Sequence, residues 1–335
     1  MRSLITGVGG FAGSHLADYL LAQSIGASDE VWGCDLSSTR RPFHPAALKL
    51  IAADLRDAAA VTQMIDQVRP DRIYHLAGQA YVGDSWSRPW ETLENNLRPQ
   101  VNLLEAVTSA GLKSRVLVVG SADEYGQRVW AGRPLDEDQP LRPDSPYGVS
   151  KVGQDMLGLQ YFLSGELPVI RVRPFNHIGP RQNAKFVAPA FATQIAAIEA
   201  GRQPPVLRVG NLEARRDFTD VRDVVRAYAL VLEQGEPGEV YNIGTGQSRG
   251  IRELLDYLLA MAQVPIEIRV ETSRLRPVDL PDLVCDAGRL RRQTGWQPSV
   301  SFEQTLRDLL DYERGRLEQL PTPAAPLTPA PAPRL

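Results

Sequence analysis

A doubly wound α/β fold with a parallel sheet, carrying a second and smaller α/β lobe, is the architecture this sequence predicts, on three observations. Short β-branched runs alternate with amphipathic helical stretches through the first half of the chain. A glycine-rich turn lies directly between the first of those runs and the first helix. The 335 residues, 43% of them hydrophobic, suffice for one large core or two packed domains, which excludes a chain disordered throughout.

The expected sheet strands are Arg2 to Thr6, Glu30 to Cys34, Lys49 to Ala52, Arg72 to His75, Arg115 to Val119 and Val169 to Val172. Helical periodicity runs from Gly13 to Gln23 and from Asn95 to Ala110, where Val101, Leu104 and Val107 recur on one face. After Arg173 the pattern loosens into loops marked by Pro and Gly, with helices near Pro189 to Ala200 and Ile251 to Ala262. A helix from Asp220 to Glu233 and a strand Val240 to Ile243 are expected to return to the first domain. The expected division is therefore interleaved: residues 1–175 with returning segments 216–246, then 176–215 and 247–318 as the smaller lobe. Residues 319–335 form a Pro/Ala-rich tail without periodicity, expected to be disordered.

Composition removes several functions. Net charge is −3 and the Lys and Arg residues are scattered, so no basic face is expected to grip nucleic acid. No charged-then-apolar leader precedes the first strand, and no apolar run is long enough to span a bilayer, so no membrane partner is expected. The two cysteines, Cys34 and Cys285, lack partners at metal-ligand spacing and read as reduced packing residues of a cytoplasmic protein. His15, His44, His75 and His177 are isolated from one another, so no metal site is expected.

Gly7, Gly10 and Gly13 follow the first strand and open a helix, with Phe11 between them. Missing side chains there let a pyrophosphate approach backbone N–H groups at a helix N-terminus, which makes the fold Rossmann-type and the ligand a dinucleotide. The second strand ends at Asp35, whose carboxylate suits ribose hydroxyls and repels a 2′-phosphate, in favour of NAD(H). Arg40 and Arg41 follow in the same loop and keep NADP(H) open. Asp54 and Leu55 after the third strand are expected beside the adenine, and Leu76 and Ala77 after the fourth beside the diphosphate and ribose.

Tyr147 and Lys151 stand four apart, on one face of a helix and one turn from each other. An ammonium there can lower the phenol pKa and hold the nicotinamide ribose, making Tyr147 a general acid/base. Ser121, after the apolar run Val116 to Val119, can donate a hydrogen bond to a substrate carbonyl.

With these segments the chain resembles the extended short-chain dehydrogenase/reductase superfamily, over about residues 1 to 318. Within its nucleotide-sugar branch it resembles the GDP-6-deoxy-D-lyxo-4-hexulose reductase group, with the GDP-mannose 4,6-dehydratases adjacent. The resemblance is carried by Leu4 to Gly7, Pro146 to Lys151, Phe175 to Pro180, Val209 to Ala214, Arg216 to Asp223 and Leu275 to Pro277. It implies a GDP-linked sugar substrate and a homodimer. Arg216 and Arg276 would meet the two phosphates of the nucleotide sugar, Asn176 its phosphate or sugar oxygens, with Val187 and Asn211 in the same site. Asp279 stands where the family's motif has a glutamate resembling a ribose acceptor, one methylene shorter.

The stretch Gly120 to Gly126 separates the family's reactions. A dehydratase needs a further acid/base beside the tyrosine, and dehydratases resemble Thr-Ser-Glu or Thr-Asp-Glu here; this chain reads Ser121-Ala122-Asp123. Ala122 offers no proton, and Asp123, counted with Ser121, Tyr147 and Lys151 among the candidate catalytic residues, is a shorter arm than glutamate. The epimerising reductases that the chain also resembles use a Cys/His pair, at positions held here by Asp123 and Arg181. Reduction of a C4 ketone needs only Tyr147, Lys151, Ser121 and a hydride donor. The expected reaction takes GDP-4-keto-6-deoxy-D-mannose to GDP-D-rhamnose. GDP-mannose 4,6-dehydration is the alternative, and a non-catalytic NAD(P)-binding protein a more distant one.

Overall fold

The structure is a computed structural model, which describes residues 1–23, 29–126, 134–271 and 282–319. In chain order the elements are β1 (Arg2–Thr6), α1 (Phe11–Gln23), β2 (Glu30–Asp35), β3 (Lys49–Ala52), α2 (Ala58–Val68), β4 (Arg72–His75), α3 (Val82–Ser87) and α4 (Pro89–Ser109). There follow β5 (Arg115–Val119), a single 3-10 turn (Ala122–Glu124), β6 (Pro134–Leu135), α5 (Pro146–Leu163), β7 (Val169–Pro174), β8 (Asn176–Ile178), α6 (Val187–Glu199), β9 (Val206–Val209) and β10 (Arg215–Asp220). The last are α7 (Val221–Gln234), β11 (Val240–Ile243), β12 (Ser248–Gly250), α8 (Ile251–Ala260), β13 (Glu267–Val270), β14 (Val284–Cys285), α9 (Gly288–Thr294) and α10 (Phe302–Glu318).

Seven strands form one sheet in the order β11-β7-β5-β4-β1-β2-β3, every neighbouring pair parallel. The sequence foresaw this Rossmann-type sheet because its central strands are buried on both faces and read as unbroken apolar runs. Val116, Leu117 and Val118 of β5 are all fully buried. Apolar residues of α1 and α7 cover one face, with Leu16, Val224 and Tyr228 packed on Ile5 and Ile170. Those of α2 and α4 cover the other, with Val61, Ile65, Leu103 and Val107 packed on Leu4 and Val116. Chain order reverses between β1 and β4, and a crevice opens outside the strand ends at such a reversal.

The second half is more regular than its sequence suggested. Where loops were expected, β12, β10 and β8 form a three-stranded sheet, β13 pairs with β9, and β14 pairs with β6. These strands have two to six residues, too few for a period of two to emerge. α6, α8 and α10 pack around a separate core built on Phe191, Ile195, Leu254, Leu258, Leu306 and Leu309. The helix expected from Asn95 starts at Pro89, because proline at the first helical position brings a ready-set φ and lacks only an N–H that has no partner there. Of the tail expected from 319, residues 320–335 lie outside the described residues, as do Arg276 and Asp279.

Candidate active site

The turn after β1 is shaped by its glycines. Gly7 has φ +71°, and a Cβ on it would lie 2.9 Å from the backbone of Ala77. A Cβ on Gly13 would overlap the Gly7 carbonyl oxygen. Gly10 N–H donates to Gly7 O at 3.0 Å, closing the turn. The first turn of α1 holds no acidic residue, so its N–H groups and dipole are open to an anion. This surface fits a dinucleotide pyrophosphate. Phe11, first residue of α1, stacks on the His177 ring at 5.7 Å between centroids.

Asp35 ends β2 beside the same turn. Its Oδ2 accepts Gly9 N–H at 3.1 Å and its Oδ1 accepts Leu36 N–H at 2.8 Å. The two arginines that follow diverge. Arg41 reaches back over the turn, donating to Gly9 O at 2.9 Å with its other nitrogen 3.7 Å from Asp35. Arg40, expected at the cofactor, instead braces its own loop, donating to Leu48 O at 2.8 Å and to Pro45 O. Asp54 is held by Arg56 at 2.7 Å, a hydrogen bond that keeps its carboxyl below the ordinary range, and Leu55 beside it is buried. Ala77 N–H donates to Thr6 Oγ1 at 3.2 Å, which sets the Leu76–Ala77 backbone against β1.

At the end of β5, Ser121 caps the 3-10 turn. Asp123 N–H donates to Ser121 Oγ at 3.1 Å, and that hydroxyl donates to Asp123 Oδ2 at 3.0 Å. Ser145 caps α5 by accepting Gly148 N–H at 3.0 Å, with Pro146 next, and this cap places Tyr147 and Lys151 one turn apart at the helix start. The Tyr147 phenol meets Ser121 through a side-chain hydrogen bond, so the two bands of sequence converge as expected.

The electrostatics differ from the sequence expectation. Lys151 Nζ donates to Val119 O at 3.0 Å and Gln154 Oε1 at 2.8 Å, 5.9 Å from the Tyr147 ring centre. Burial, and then the charge of Asp123, raises the phenol pKa instead of lowering it. Burial also lowers Lys151 to about 8. Tyr147 is thus held protonated, as a proton donor.

The lobe residues fall on neighbouring elements. β8 and β10 run parallel, with Asn176 opposite Phe218 and Arg216 two residues earlier on β10. Asn176 is exposed and Arg216 half-buried, donating to Arg215 O at 2.6 Å. Asn211 Oδ1 accepts Glu213 N–H at 2.9 Å in the turn before β10, and Val187 opens α6. Arg181 is engaged by Asp18 at 2.7 Å, with its guanidinium over the Phe43 ring.

Two residues of the site had no place in the sequence reading. Asn96 lies fully buried, taking Gln79 N–H at 2.7 Å and donating to Ser150 Oγ at 2.8 Å, so it ties the loop after β4 to α5. Its signal was a polar residue on the apolar stripe of α4. Glu124, also fully buried, accepts Ser121 N–H at 2.8 Å. Among the described residues no cluster of His, Cys, Asp and Glu could hold a metal ion, and no helix is long and apolar enough to cross a membrane.

A parallel sheet with its glycine turn at the strand reversal, and a Ser-Tyr-Lys set beyond β5, define an NAD(P)-dependent oxidoreductase of the extended short-chain dehydrogenase type. The sequence model of GDP-mannose 4,6 dehydratase matches residues 4–309. The chain belongs to that family of nucleotide-sugar enzymes. It is 36% identical to GDP-6-deoxy-D-mannose reductase of Pseudomonas aeruginosa, over 95% of this chain and 99% of the relative. The structure of RMD from Pseudomonas aeruginosa complexed with NADPH superposes with a TM-score of 0.82 at 36% identity, covering 94% of this chain and 99% of that one. UDP-glucose 4-epimerase from Thermus thermophilus, in complex with NAD, superposes with a TM-score of 0.83 at 32% identity, over 94% and 99% of the two chains.

Proposed function

We propose that this enzyme reduces the C4 ketone of a nucleotide-linked 4-keto-6-deoxy sugar, taking GDP-4-keto-6-deoxy-D-mannose to GDP-D-rhamnose. The observation that carries the reading is the Tyr147 phenol, buried, kept protonated and in contact with Ser121. Bound along the glycine turn, the reduced nicotinamide supplies a hydride to C4. Ser121 polarises the ketone oxygen once its hydroxyl turns from Asp123 Oδ2 to the substrate, and Tyr147 hands its proton to that oxygen as negative charge develops there. Lys151, anchored to Val119 O, holds a positive charge behind the phenol and neutralises the tyrosinate left by the transfer. Asp123 is hydrogen-bonded to Ser121 and is a shorter arm than the glutamate of the dehydratases, which disfavours it as the base that dehydration requires.

Gly7, Gly10, Phe11, Gly13, Asp35, Leu55, Leu76 and Ala77 are assigned to the cofactor, with Arg41 in the place of Arg40. Asn176, Val187, Asn211 and Arg216 are assigned to the nucleotide sugar. Both NADH and NADPH are expected to serve, with NADH preferred, since Asp35 faces the turn and Arg41 partly neutralises it. A homodimer is supported by Val149, Met156 and Leu163, three exposed apolar residues at seven-residue intervals along α5 that form a seam for a second copy. The two free, buried thiols suit the reducing cytoplasm. The separate core around α6, α8 and α10 supports a distinct substrate lobe, although Leu283, Cys285, Leu290 and Trp296, expected in that lobe, pack in the core of the large sheet.

The test uses two substrates. GDP-mannose with oxidised cofactor should give no 4-keto-6-deoxy product, whereas the keto sugar made by a separate dehydratase should consume one reduced cofactor per molecule. Dehydration of GDP-mannose by the pure protein, at a rate comparable with keto-sugar reduction, would overturn the assignment.

A further inference from the structure

We propose that Glu124 is a positioning residue for this reduction, tying the Ser121 turn through Arg173 and Asp155 to the helix that carries Tyr147 and Lys151. The proposal rests on the reductase reading above. Ser121 belongs to the end of β5 and Tyr147 to α5, yet both must address one substrate oxygen. A misplacement of an ångström between such groups costs up to about a hundredfold in rate.

A continuous chain of bonds spans the two elements. Glu124 Oε1 accepts the Ser121 N–H at 2.8 Å, and its Oε2 accepts Arg173 Nε at 2.9 Å. Arg173, near the end of β7, places Nε and Nη2 each 2.7 Å from Asp155 Oδ2. Asp155 lies one helical turn beyond Lys151 on α5 and is also paired with Arg171. Arg173 Nη1 further donates to the Tyr125 hydroxyl at 3.0 Å, which donates to Asn242 Oδ1 at 2.8 Å. Every one of these side chains is buried.

Two features argue for position over bulk stability. A buried set of carboxylates and guanidiniums contributes little net stability, since apolar residues of similar volume often do as well, but it fixes distances and angles. The chain also keeps room for the carboxylate: a Cβ on Gly120 would overlap Glu124 Oε1. Within the set, two guanidiniums hold Asp155 ionised, while burial and the neighbouring Asp155 charge push Glu124 upward.

Glu124→Leu removes at once the acceptor for the Ser121 amide and the acceptor for Arg173 Nε. Its kcat should fall at least about tenfold. KM for the keto sugar and cofactor Kd should stay near wild type, while the melting temperature falls, because removing one partner leaves the rest of a buried charged set uncompensated. Gly120→Ala, whose methyl would displace the carboxylate and also press on the Val172 carbonyl oxygen at 3.0 Å, should lower kcat in the same way and lower it less in a Glu124→Ala background, which keeps the test valid if Glu124→Leu folds poorly. A lower melting temperature with unchanged kcat would make Glu124 a brace of the fold and overturn the proposal, as would additive effects of the two substitutions. A wild-type enzyme unable to reduce the keto sugar would overturn the reductase reading and this proposal together, whereas active wild type with fully active variants overturns this proposal alone.

Discussion

Asp35→Ala is expected to shift cofactor preference toward NADPH by roughly 30- to 150-fold. The carboxylate is one-quarter exposed and stands 3.7 Å from the Arg41 guanidinium. At that separation a pair of unit charges interacts by about 1 kcal/mol in water and about 4 kcal/mol near a protein surface, and the exposed rim of this turn belongs toward the lower figure. Removing Asp35 relieves repulsion of about 1 to 2 kcal/mol against a 2′-phosphate carrying more than one negative charge. It also deprives the NADH ribose of an acceptor, at about 1 kcal/mol. The sum, about 2 to 3 kcal/mol, gives the stated factor. Arg41→Ala should move the preference the opposite way, since Arg41 is the cation that reaches the turn. The assay is kcat/KM for NADPH over that for NADH at saturating keto sugar and fixed ionic strength. A ratio within twofold of wild type for Asp35→Ala would show that its carboxylate does not face the ribose.

Tyr147→Phe should cut kcat by about 10² to 10⁴-fold while cofactor Kd, followed by quenching of protein fluorescence, changes less than threefold; a rate near wild type would remove Tyr147 from the chemistry. Lys151, lowered to about 8 by burial, is charged below that pH and neutral above it, so kcat/KM should hold on the acid side and decline as pH rises through 8. A profile flat to pH 10 would contradict this. His75 is pushed down to about 3 by burial and by Lys151, from an ordinary 6.5. The unfolded chain therefore takes up a proton below 6.5 that the folded chain refuses, and stability falls as pH drops from 6.5 toward 3. Urea midpoints at successive pH values should show this slope, and His75→Asn should flatten it.

The first half of the fold was legible because each sheet strand is an apolar run bounded by turn residues, and the observed β1, β3, β4, β5 and β11 carry the limits expected for them. Two helices of the second lobe, α6 and α8, were legible, whereas α9 and α10 were not foreseen; nor were the strands, because β8 and β12 have three residues each and the last four residues of β10 are all buried, so no alternation shows. At the site, the meeting of Tyr147, Lys151 and Ser121 could be read in advance, because Tyr147 and Lys151 are one helical turn apart and Ser121 follows a sheet strand. Which arginine reaches the glycine turn could not, because Arg40 and Arg41 are adjacent in sequence and only the path of the loop turns one toward the Leu48 carbonyl and the other toward Gly9. The phenol pKa was misjudged for a related reason: spacing brings Lys151 near Tyr147, but it does not reveal that both are buried and that Nζ is already committed to Val119 and Gln154.

The order of strands in the large sheet also governs how the chain can be made. β4 finds β1 early, but β5 has one free edge until β7 emerges, and β7 has one until β11, close to the end of the α/β core. Parallel pairs cannot zip from a hairpin, so each wait lasts for a whole crossover segment. During synthesis the Val116-Leu117-Val118 edge is a ready template for strands of other nascent chains. A chain cut after α5 should therefore collect in aggregates even though its cofactor turn is complete.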